Sequence, residues 1–172
     1  YNQPNSSKSK SCCAGIDVAD AKKVAEQYNF PHHVFDYQDK FFNGVINKFV
    51  DSYANGETPV PCIQCNQSVK FSDLLKESQN LNADALITGH YAIRKGGLRK
   101  SKLFKAKDKT KDQSYFLFAT LQDQLDYVRF PLGNYLKSEI RQMANDFNLL
   151  VSDKPDSQDI CFVTSESYRD LI

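Results

Sequence analysis

The sequence predicts an α/β domain with a parallel sheet, because helical and strand-like patterns alternate along it. The clearest strand is the short apolar run 85–88, which ends at Gly89, and amphipathic helical spacing occurs on both sides of it. A length of 172 residues, with 41% hydrophobic and 25% charged residues, is typical of one soluble globular domain. The chain is therefore long enough to bury an ordinary core.

The first third of the chain predicts two helices with a strand between them. Residues 1–15 are polar and are expected to form a mobile segment, whereas 16–172 are expected to form the α/β domain. Pro31 should end the first helix, a short strand is predicted at 33–35, and Gly56 should stop the second helix. The positions with helical spacing are Ala21, Val24, Ala25 and Tyr28 in the first helix and Phe42, Val45, Ile46 and Phe49 in the second.

The remaining elements follow a proline-rich segment. Residues 58–65 are expected not to form regular helix, because two prolines there remove donors and fix φ. Asn66 is expected to cap a helix that runs to about Asn80. Extended backbone is predicted at 103–106 and 114–118, and a turn that leads into a strand or loop at 157–163. A last amphipathic helix is predicted from Ile140, Met143, Ala144 and Phe147.

The charge is spread unevenly, although the formal net charge is only +1. The stretch 95–111 is strongly basic, with Asp108 its only acid. Its cations are Lys95, Arg99, Lys100, Lys102, Lys105, Lys107, Lys109 and Lys111. Two interpretations stay open, a solvated loop or hairpin and a surface that faces phosphates. No apolar run reaches the roughly 20 residues that a membrane-spanning helix needs.

The cysteines suggest chemistry rather than a disulfide framework. Five is an odd number, and reduced thiols of the cytoplasm fit it better than a secreted domain does. Cys62 and Cys65 form Cys-x-x-Cys directly before a predicted helix, where amide donors and the helix dipole favour thiolate. A structural pair is the alternative, and no second pair completes a zinc site. Cys161 stands alone between apolar residues, a setting more typical of buried core.

Two polar groups are further candidates. Gly89 and His90 follow the predicted strand, and ligands of open parallel sheets bind beyond the carboxyl ends of strands. A lone histidine is nevertheless more often structural. Residues 111–114, Lys-Asp-Gln-Ser, form a polar cluster that enters an apolar run, and most such clusters are turns.

Five motifs occur together in a fixed order. They are Thr58-Pro59-x-Pro61-x-x-x-Cys65-Asn66, Val69-Lys70-Phe71, Thr88-Gly89-His90-Tyr91, Lys111-Asp112-Gln113-Ser114-Tyr115-Phe116 and Asp156-Ser157-Gln158-Asp159-Ile160-Cys161-Phe162. Taken together in this order, they resemble the motifs of the tRNA-specific 2-thiouridylases. The resemblance covers the chain from about Cys12 to the C-terminus. The resemblance implies a fold of the adenine nucleotide α-hydrolase type, an ATP-pyrophosphatase-like and Rossmann-like parallel sheet with flanking helices.

The same resemblance implies a function. It predicts ATP-dependent replacement of the C2 oxygen of the wobble uridine in tRNA by sulfur from a cysteine persulfide. Cys161 would carry the persulfide, Cys65 would attack it, and Gly89 would contact ATP. The implied tRNA contacts are Val60, Pro61, Cys62, His90, Lys111, Asp112 and Gln113. Mg²⁺ would accompany ATP, and a sulfur-relay protein or a cysteine desulfurase would be the partner that donates sulfur. We further expect a monomer in the cytoplasm, since the cysteines fit reduced thiols, and no membrane, since no long apolar run occurs.

The chain departs from the family pattern in two ways. The family opens with Ser-Gly-Gly-x-Asp-Ser, which is absent here, so we expect this chain to lack the first strand and phosphate loop and to be inactive alone. Many members carry Asn-Pro-Asp where this chain has Val60-Pro61-Cys62, and the change creates the Cys-x-x-Cys pair. Two alternatives therefore stay open: an iron–sulfur cluster held by Cys62, Cys65 and Cys161, and a non-catalytic RNA-binding module that uses 95–111.

Overall fold

The computed structural model describes residues 15–97, 99–156 and 160–163. Within these ranges, no helix combines the length and the apolar character that crossing a membrane requires. The polar segment predicted at 1–15 lies outside the described residues except for Gly15, which begins the first helix. The chain divides into two compact units, which are described separately.

Unit 1 comprises the described residues up to Pro61 and from Ala144 onward. Its first helices are α1 (Gly15–Gln27), α2 (Gln38–Phe41) and α3 (Asn47–Ala54), with the π-helical stretch Phe42–Ile46 joining α2 to α3. The two predicted helices are thus confirmed. The buried side chains on them are Ala25, Val45, Ile46 and Phe49. Asn29, with a φ of +55°, ends the first helix just before Pro31.

The strand predicted at 33–35 is wrong. Residues 31–37 form neither helix nor strand, and those from 31 to 36 are exposed. The backbone is extended enough for the rings of His33 and Phe35 to stack at 6.3 Å. A strand, however, requires a neighbouring strand to take its backbone hydrogen bonds, and the segment pairs with none in the described part of the chain.

Unit 2 is Cys62–Met143 and contains two small sheets. Its strands are β1 (Leu86–Ile87), β2 (Ala92–Lys95), β3 (Lys102–Lys105) and β4 (Val128–Arg129). Strands β1 and β4 are parallel, with Leu86 opposite Val128, while β2 and β3 form an antiparallel hairpin, with Ala92 opposite Lys105. The strand predicted at 85–88 and the extended segment predicted at 103–106 are both confirmed.

Helical segments complete the fold. The chain enters unit 2 through a continuous helical segment made of α4 (Pro61–Cys65), the π-helical stretch Asn66–Leu74 and α5 (Leu75–Asn80). Two short 3-10 helices follow later, at Ser114–Leu117 and Pro131–Asn134. The remaining α-helices are α6 (Gln122–Tyr127) and α7 (Lys137–Asp146). Helix α7 confirms the last predicted helix. The core of unit 2 consists of Phe71, Leu75, Ala92, Leu117, Leu125, Val128 and Phe130.

The helix predicted to start at Asn66 begins earlier, so that prediction is wrong. Proline lacks the amide hydrogen that a first-turn residue cannot use anyway, and its φ suits a helix. Pro61 therefore begins α4, and both cysteines of the Cys-x-x-Cys pair lie on the helix rather than on a loop before it. Asn66 does not cap the helix, since its side chain bonds to a distant backbone carbonyl instead.

The extended segment predicted at 114–118 is also wrong. Ser114 is the first residue of a 3-10 helix, and its hydroxyl donates to Asp112 Oδ2 at 2.8 Å. In this helix only Leu117 is buried, whereas Tyr115 and Phe118 on either side of it are exposed.

Candidate active site

Cys62 and Cys65 lie one helical turn apart on α4. Cys62 is exposed and Cys65 is partly buried. Val60 is half-buried just before the helix, and Pro61 is buried at its first position. The predicted contacts to the target base therefore surround the start of the helix that bears Cys65.

Asn66 fixes the turn after Cys65. It is only 2% exposed, and its Nδ2 donates to the backbone oxygen of Phe116 at 3.0 Å. Because that oxygen can only accept, the orientation of the amide is determined, and Oδ1 is buried without a donor from the described residues. Sequence reasoning missed this role, since asparagine at a helix start is more often a cap.

Gln113 and Tyr91 join the two polar motifs of unit 2. The amide of Tyr91 donates to Gln113 Oε1 at 2.9 Å, and the amide of Gln113 donates to Tyr91 O at 2.8 Å. His90 precedes Tyr91, and Lys111 lies two residues before Gln113. The segments that bear His90 and Lys111, both predicted tRNA contacts, are therefore brought together within unit 2.

His90 is held in a largely apolar setting. Its ring lies 6.2 Å from that of Phe71 and 6.1 Å from that of Phe130, between centroids. Burial, with a smaller effect from the Lys70 ammonium, lowers the pKa of His90 from 6.5 to about 4. The imidazole is therefore neutral at neutral pH, and its Nδ1 shares a 2.8 Å hydrogen bond with Thr88 Oγ1.

Gly89 is exposed beyond the end of β1. A Cβ built there would meet nothing nearer than Leu132 Cδ1 at 3.8 Å. The position therefore leaves room for a ligand at the carboxyl end of a parallel strand, where open α/β sheets bind ligands.

The carboxylate of Asp112 accepts hydrogen bonds from nearby backbone amides. Burial favours a raised pKa, but hydrogen bonds from the Ala106 amide and from Ser114 outweigh it and hold the pKa of the Asp112 carboxyl below its usual value. The Ala106 bond is short, at 2.7 Å. Of the predicted tRNA contacts on this turn, Lys111 is exposed, whereas Asp112 and Gln113 are partly buried.

The basic stretch is a hairpin with a firmly held loop. Arg94 donates to the carbonyl oxygens of Gly96, Gly97, Leu125 and Asp126. Asp126 accepts from the amides of Lys100 and Ser101. The side chain of Ser101, followed by its amide and by smaller contributions from Gln122 and Lys100, lowers the pKa of the Asp126 carboxyl. Arg99, Lys100 and Lys102 are exposed at this end of the hairpin. Sequence reasoning found the lysines and missed the two residues that hold their backbone.

Cys161 lies in unit 1, on a turn in which the Val163 amide donates to Ile160 O at 3.0 Å. It is partly buried and is not part of a disulfide among the described residues. Its neighbour Phe162 packs edge-on against Phe49, with centroids 5.2 Å apart. The turn is thereby attached to the core of unit 1. Of the turn predicted at 157–163, residues 157–159 lie outside the described part of the chain.

Metal ligation was an alternative for the cysteines. Across the described ranges, no three or more His, Cys, Asp or Glu side chains converge as a metal site would require.

A parallel strand pair with an open glycine beyond the strand end is typical of α/β domains that bind a ligand at the carboxyl ends of their strands. The model of the tRNA methyl transferase HUP domain family matches residues 1–165, and the chain belongs to this family. This match confirms the predicted fold of the adenine nucleotide α-hydrolase type.

The chain is also similar to individual proteins that carry a functional name. The chain is 56% identical over 161 residues to the tRNA-specific 2-thiouridylase MnmA of Orientia tsutsugamushi (strain Boryong), covering 94% of this chain and 44% of the relative. It is 54% identical over 165 residues to the protein of the same name from Rickettsia peacockii (strain Rustic), covering 96% and 45%. The match to that of Rickettsia bellii (strain OSU 85-389) is also 54%, with the same coverage. The resemblance to the 2-thiouridylases is confirmed, and the chain spans less than half the length of these relatives.

Proposed function

We propose that the protein carrying this chain makes 2-thiouridine in tRNA, by ATP-dependent replacement of the C2 oxygen of the wobble uridine with sulfur. The strongest support is the 56% identity to a relative named tRNA-specific 2-thiouridylase over 94% of the chain. Residues 16–172 would form part of the catalytic domain. Because the chain corresponds to 44% of that relative, the activity is proposed for the whole protein.

Cys161 would carry the sulfur as a persulfide. The C2 oxygen is a poor leaving group, and adenylation with ATP, which releases pyrophosphate, makes it a good one. The Cys65 thiolate attacks the inner sulfur of the persulfide, the S–S bond breaks, and the electron pair goes to the outer sulfur. The outer sulfur bonds to C2 and AMP leaves with the oxygen. A Cys65–Cys161 disulfide remains, and an external thiol reductant must open it before the next turnover.

Several contacts support this assignment of Cys65. The turn after it is held by the Asn66 bond to Phe116 O, at 3.0 Å. The first 3-10 helix, which contains Phe116, follows the Gln113 bonds to Tyr91. These bonds tie the helix that bears Cys65 to the segments that bear His90 and Lys111, so a base held by one would be in a fixed relation to the others.

Gly89 would contact the adenine nucleotide. Its exposure and the open space around its Cα fit such a contact. ATP would supply the activating adenylyl group, with Mg²⁺ on its phosphates. The chain's own contribution at this point is a strand end without a side chain to obstruct the ligand.

The tRNA would meet both neutral and charged groups. Neutral His90 can exchange a hydrogen bond with a base or sugar, whereas exposed Lys111 can approach phosphate. Val60, Pro61 and Cys62 would flank the target base, and Asp112 and Gln113 would hold the contact turn. We further propose a sulfur-relay protein or a cysteine desulfurase as donor, a monomeric enzyme and a cytoplasmic location.

The experiment is thiolation of tRNA by the full-length protein and two variants. Cys161→Ser should abolish thiolation while tRNA still binds, because a hydroxyl cannot carry persulfide sulfur. Cys65→Ser should also abolish it but leave the persulfide on Cys161, where mass spectrometry of the protein detects it. Thiolation by Cys161→Ser near the normal rate would contradict the proposal.

The modified nucleoside formed in the tRNA must be identified chemically, in addition to measuring its amount. The description of the family names a methyl transferase, whereas the named relatives are 2-thiouridylases. Exchange of oxygen for sulfur and addition of a methyl group give different mass increments on the nucleoside. Mass spectrometry of digested tRNA therefore distinguishes the two reactions, and a methylated product would overturn the proposed one.

A further inference from the structure

Two large aromatic rings lie side by side on the surface of unit 2. Tyr115 is 63% exposed and Phe118 is 67% exposed. Their ring centroids are 6.2 Å apart, with the planes tilted by 44°. Isolated exposed apolar residues need no explanation, but adjacent exposed aromatic rings are typical of an interaction surface.

The backbone under these rings is held from several sides. Leu117, between them in sequence, is 1% exposed and belongs to the core. The carbonyl of Phe116 accepts the bond from Asn66, and the Phe116 amide donates to Gln113 O at 3.0 Å. The rings are therefore presented by a fixed scaffold rather than by a loop free to fold them inward.

The segment that precedes the rings in sequence carries mainly positive charge. Lys105, Lys109 and Lys111 are exposed on the segment that leads into the 3-10 helix. The acids of that segment are already engaged, Asp108 with Thr110 and with the Lys137 amide, and Asp112 with Ala106 and Ser114. Asp123 is exposed farther along, on α6. A basic segment followed directly by exposed aromatic rings is the combination that binds single-stranded nucleic acid.

We propose that Tyr115 and Phe118 form a stacking surface for unpaired bases of the RNA substrate, while the preceding lysines contact its phosphates. The proposal rests on the proposed function in that the ligand is RNA. Every base has a π face, so this surface adds affinity for a single-stranded loop without reading its sequence. A duplex, whose bases are already stacked on each other, gains nothing from it.

The sequence contains no tryptophan, which makes a direct test available. Tyr115→Trp places a fluorescent reporter in the stacking surface of the full-length protein, and its signal is the difference from the unsubstituted protein under the same conditions. Titration with an RNA stem-loop that has an unpaired loop should quench this fluorescence, and a blunt RNA duplex of equal length should not. Phe30→Trp, at a position 52% exposed in unit 1, is the matched reporter whose fluorescence should stay unchanged.

Affinity measurements over a range of salt concentrations provide the second arm. Tyr115→Ala and Phe118→Ala should each weaken stem-loop binding roughly tenfold and leave the salt slope unchanged. Lys109→Ala should instead reduce the slope. Leu121→Ala removes an exposed apolar side chain without a ring and should leave RNA affinity as it was.

The outcomes separate the two proposals. Normal RNA binding without quenching at position 115 overturns the stacking surface and leaves the proposed function standing. A full-length protein that binds no tRNA overturns the proposed function itself. If the fluorescence at position 115 changes with protein concentration in the absence of RNA, a second copy of the chain covers the rings and the stacking proposal is wrong.

Discussion

Gln113 and Tyr91 exchange two hydrogen bonds in opposite directions, one through the Gln113 side chain and one between backbones, at 2.9 and 2.8 Å. Such a pair fixes both the distance and the relative rotation of the two segments. The spacing between His90 and Lys111, which precede the two partners, is set by it.

The pair gives a first prediction. Gln113→Ala leaves the Tyr91 amide without its acceptor, which should cost about 1–3 kcal/mol in the free energy of unfolding. Urea unfolding followed by circular dichroism measures this loss. Gln79→Ala, at an exposed position on α5, should be close to neutral. Equal stability of the two variants would contradict the role given to Gln113.

Two glycines of unit 2 should respond in opposite ways to alanine. A Cβ at Gly133 would lie 1.8 Å from Ala92 O, so Gly133→Ala should destabilise the fold by about 3 kcal/mol or more. Gly89→Ala meets only Leu132 Cδ1 at 3.8 Å and should leave the thermal midpoint unchanged. If Gly89 contacts ATP, the same variant should lose nucleotide affinity, measured by calorimetry. Loss of stability in Gly89→Ala would remove the case for an open ligand position.

His90 should make stability depend on pH. The folded state keeps it neutral down to about pH 4, whereas an ordinary histidine takes up its proton near pH 6.5. Between these values the unfolded chain binds more protons, so the free energy of unfolding falls as the pH drops through this window, and the effect is complete below it.

The measurement is urea unfolding at roughly pH 7.5 and pH 5, with the wild type less stable at the lower pH. His90→Asn keeps a group that can exchange a hydrogen bond with Thr88 and cannot titrate, so the difference between the two pH values should shrink. His32→Gln, at an exposed position, should retain the wild-type difference. A His90→Asn variant that loses as much stability on acidification as the wild type would show that other groups cause the effect.

The basic hairpin should act on phosphates rather than on bases. Replacing Arg99, Lys100 and Lys102 with alanine should weaken tRNA binding and flatten its salt dependence, by about one unit of slope for each cation that touches a phosphate in the wild type. Filter binding at several salt concentrations measures both. Lys76→Ala, on α5, is the control cation. An unchanged slope in the triple variant would make the hairpin a solvated surface only.

Cys62 distinguishes persulfide transfer from an iron–sulfur mechanism. Persulfide transfer needs Cys65 and Cys161, so Cys62→Ser should keep most of the thiolation activity, whereas a cluster with three cysteine ligands needs all three. Anaerobic activity and iron analysis measure the difference. A Cys62→Ser protein that is as inactive as Cys161→Ser and no longer binds iron would favour the cluster.

The sequence predicted the parts of this fold that depend on local periodicity. Apolar spacing identified the helix that buries Val45 and Phe49, and the short apolar run before Gly89 identified β1. Residues 33–35 show the limit of such patterns, because strand formation depends on a partner that lies elsewhere in the chain. At Pro61, a residue that breaks helices in their interior begins one instead, and the position within the helix decides which effect applies.

The sequence likewise predicted only a part of the candidate site. Motif order pointed to Cys65, Gly89, His90 and Gln113, all of which unit 2 contains. The supporting residues were not evident from sequence, since Asn66 acts on a carbonyl 50 positions away and Arg94 on one 31 positions away. Side chains that serve distant backbone groups have no local periodic signal. Tertiary structure is needed to find them.

The π-helical stretch Asn66–Leu74 gives this part of the chain a tolerance for a change in length. A π-turn contains an additional residue compared with an α-turn, so deleting one residue here would let the helix become regular. The wider π-turn uses the extra residue for the same rotation, so the flanking residues keep their directions about the helix axis when that residue is lost. Phe71 is fixed in the core, so Cys65 would keep its direction relative to it. Related sequences should therefore be able to lack one residue between these two positions without turning the cysteine away.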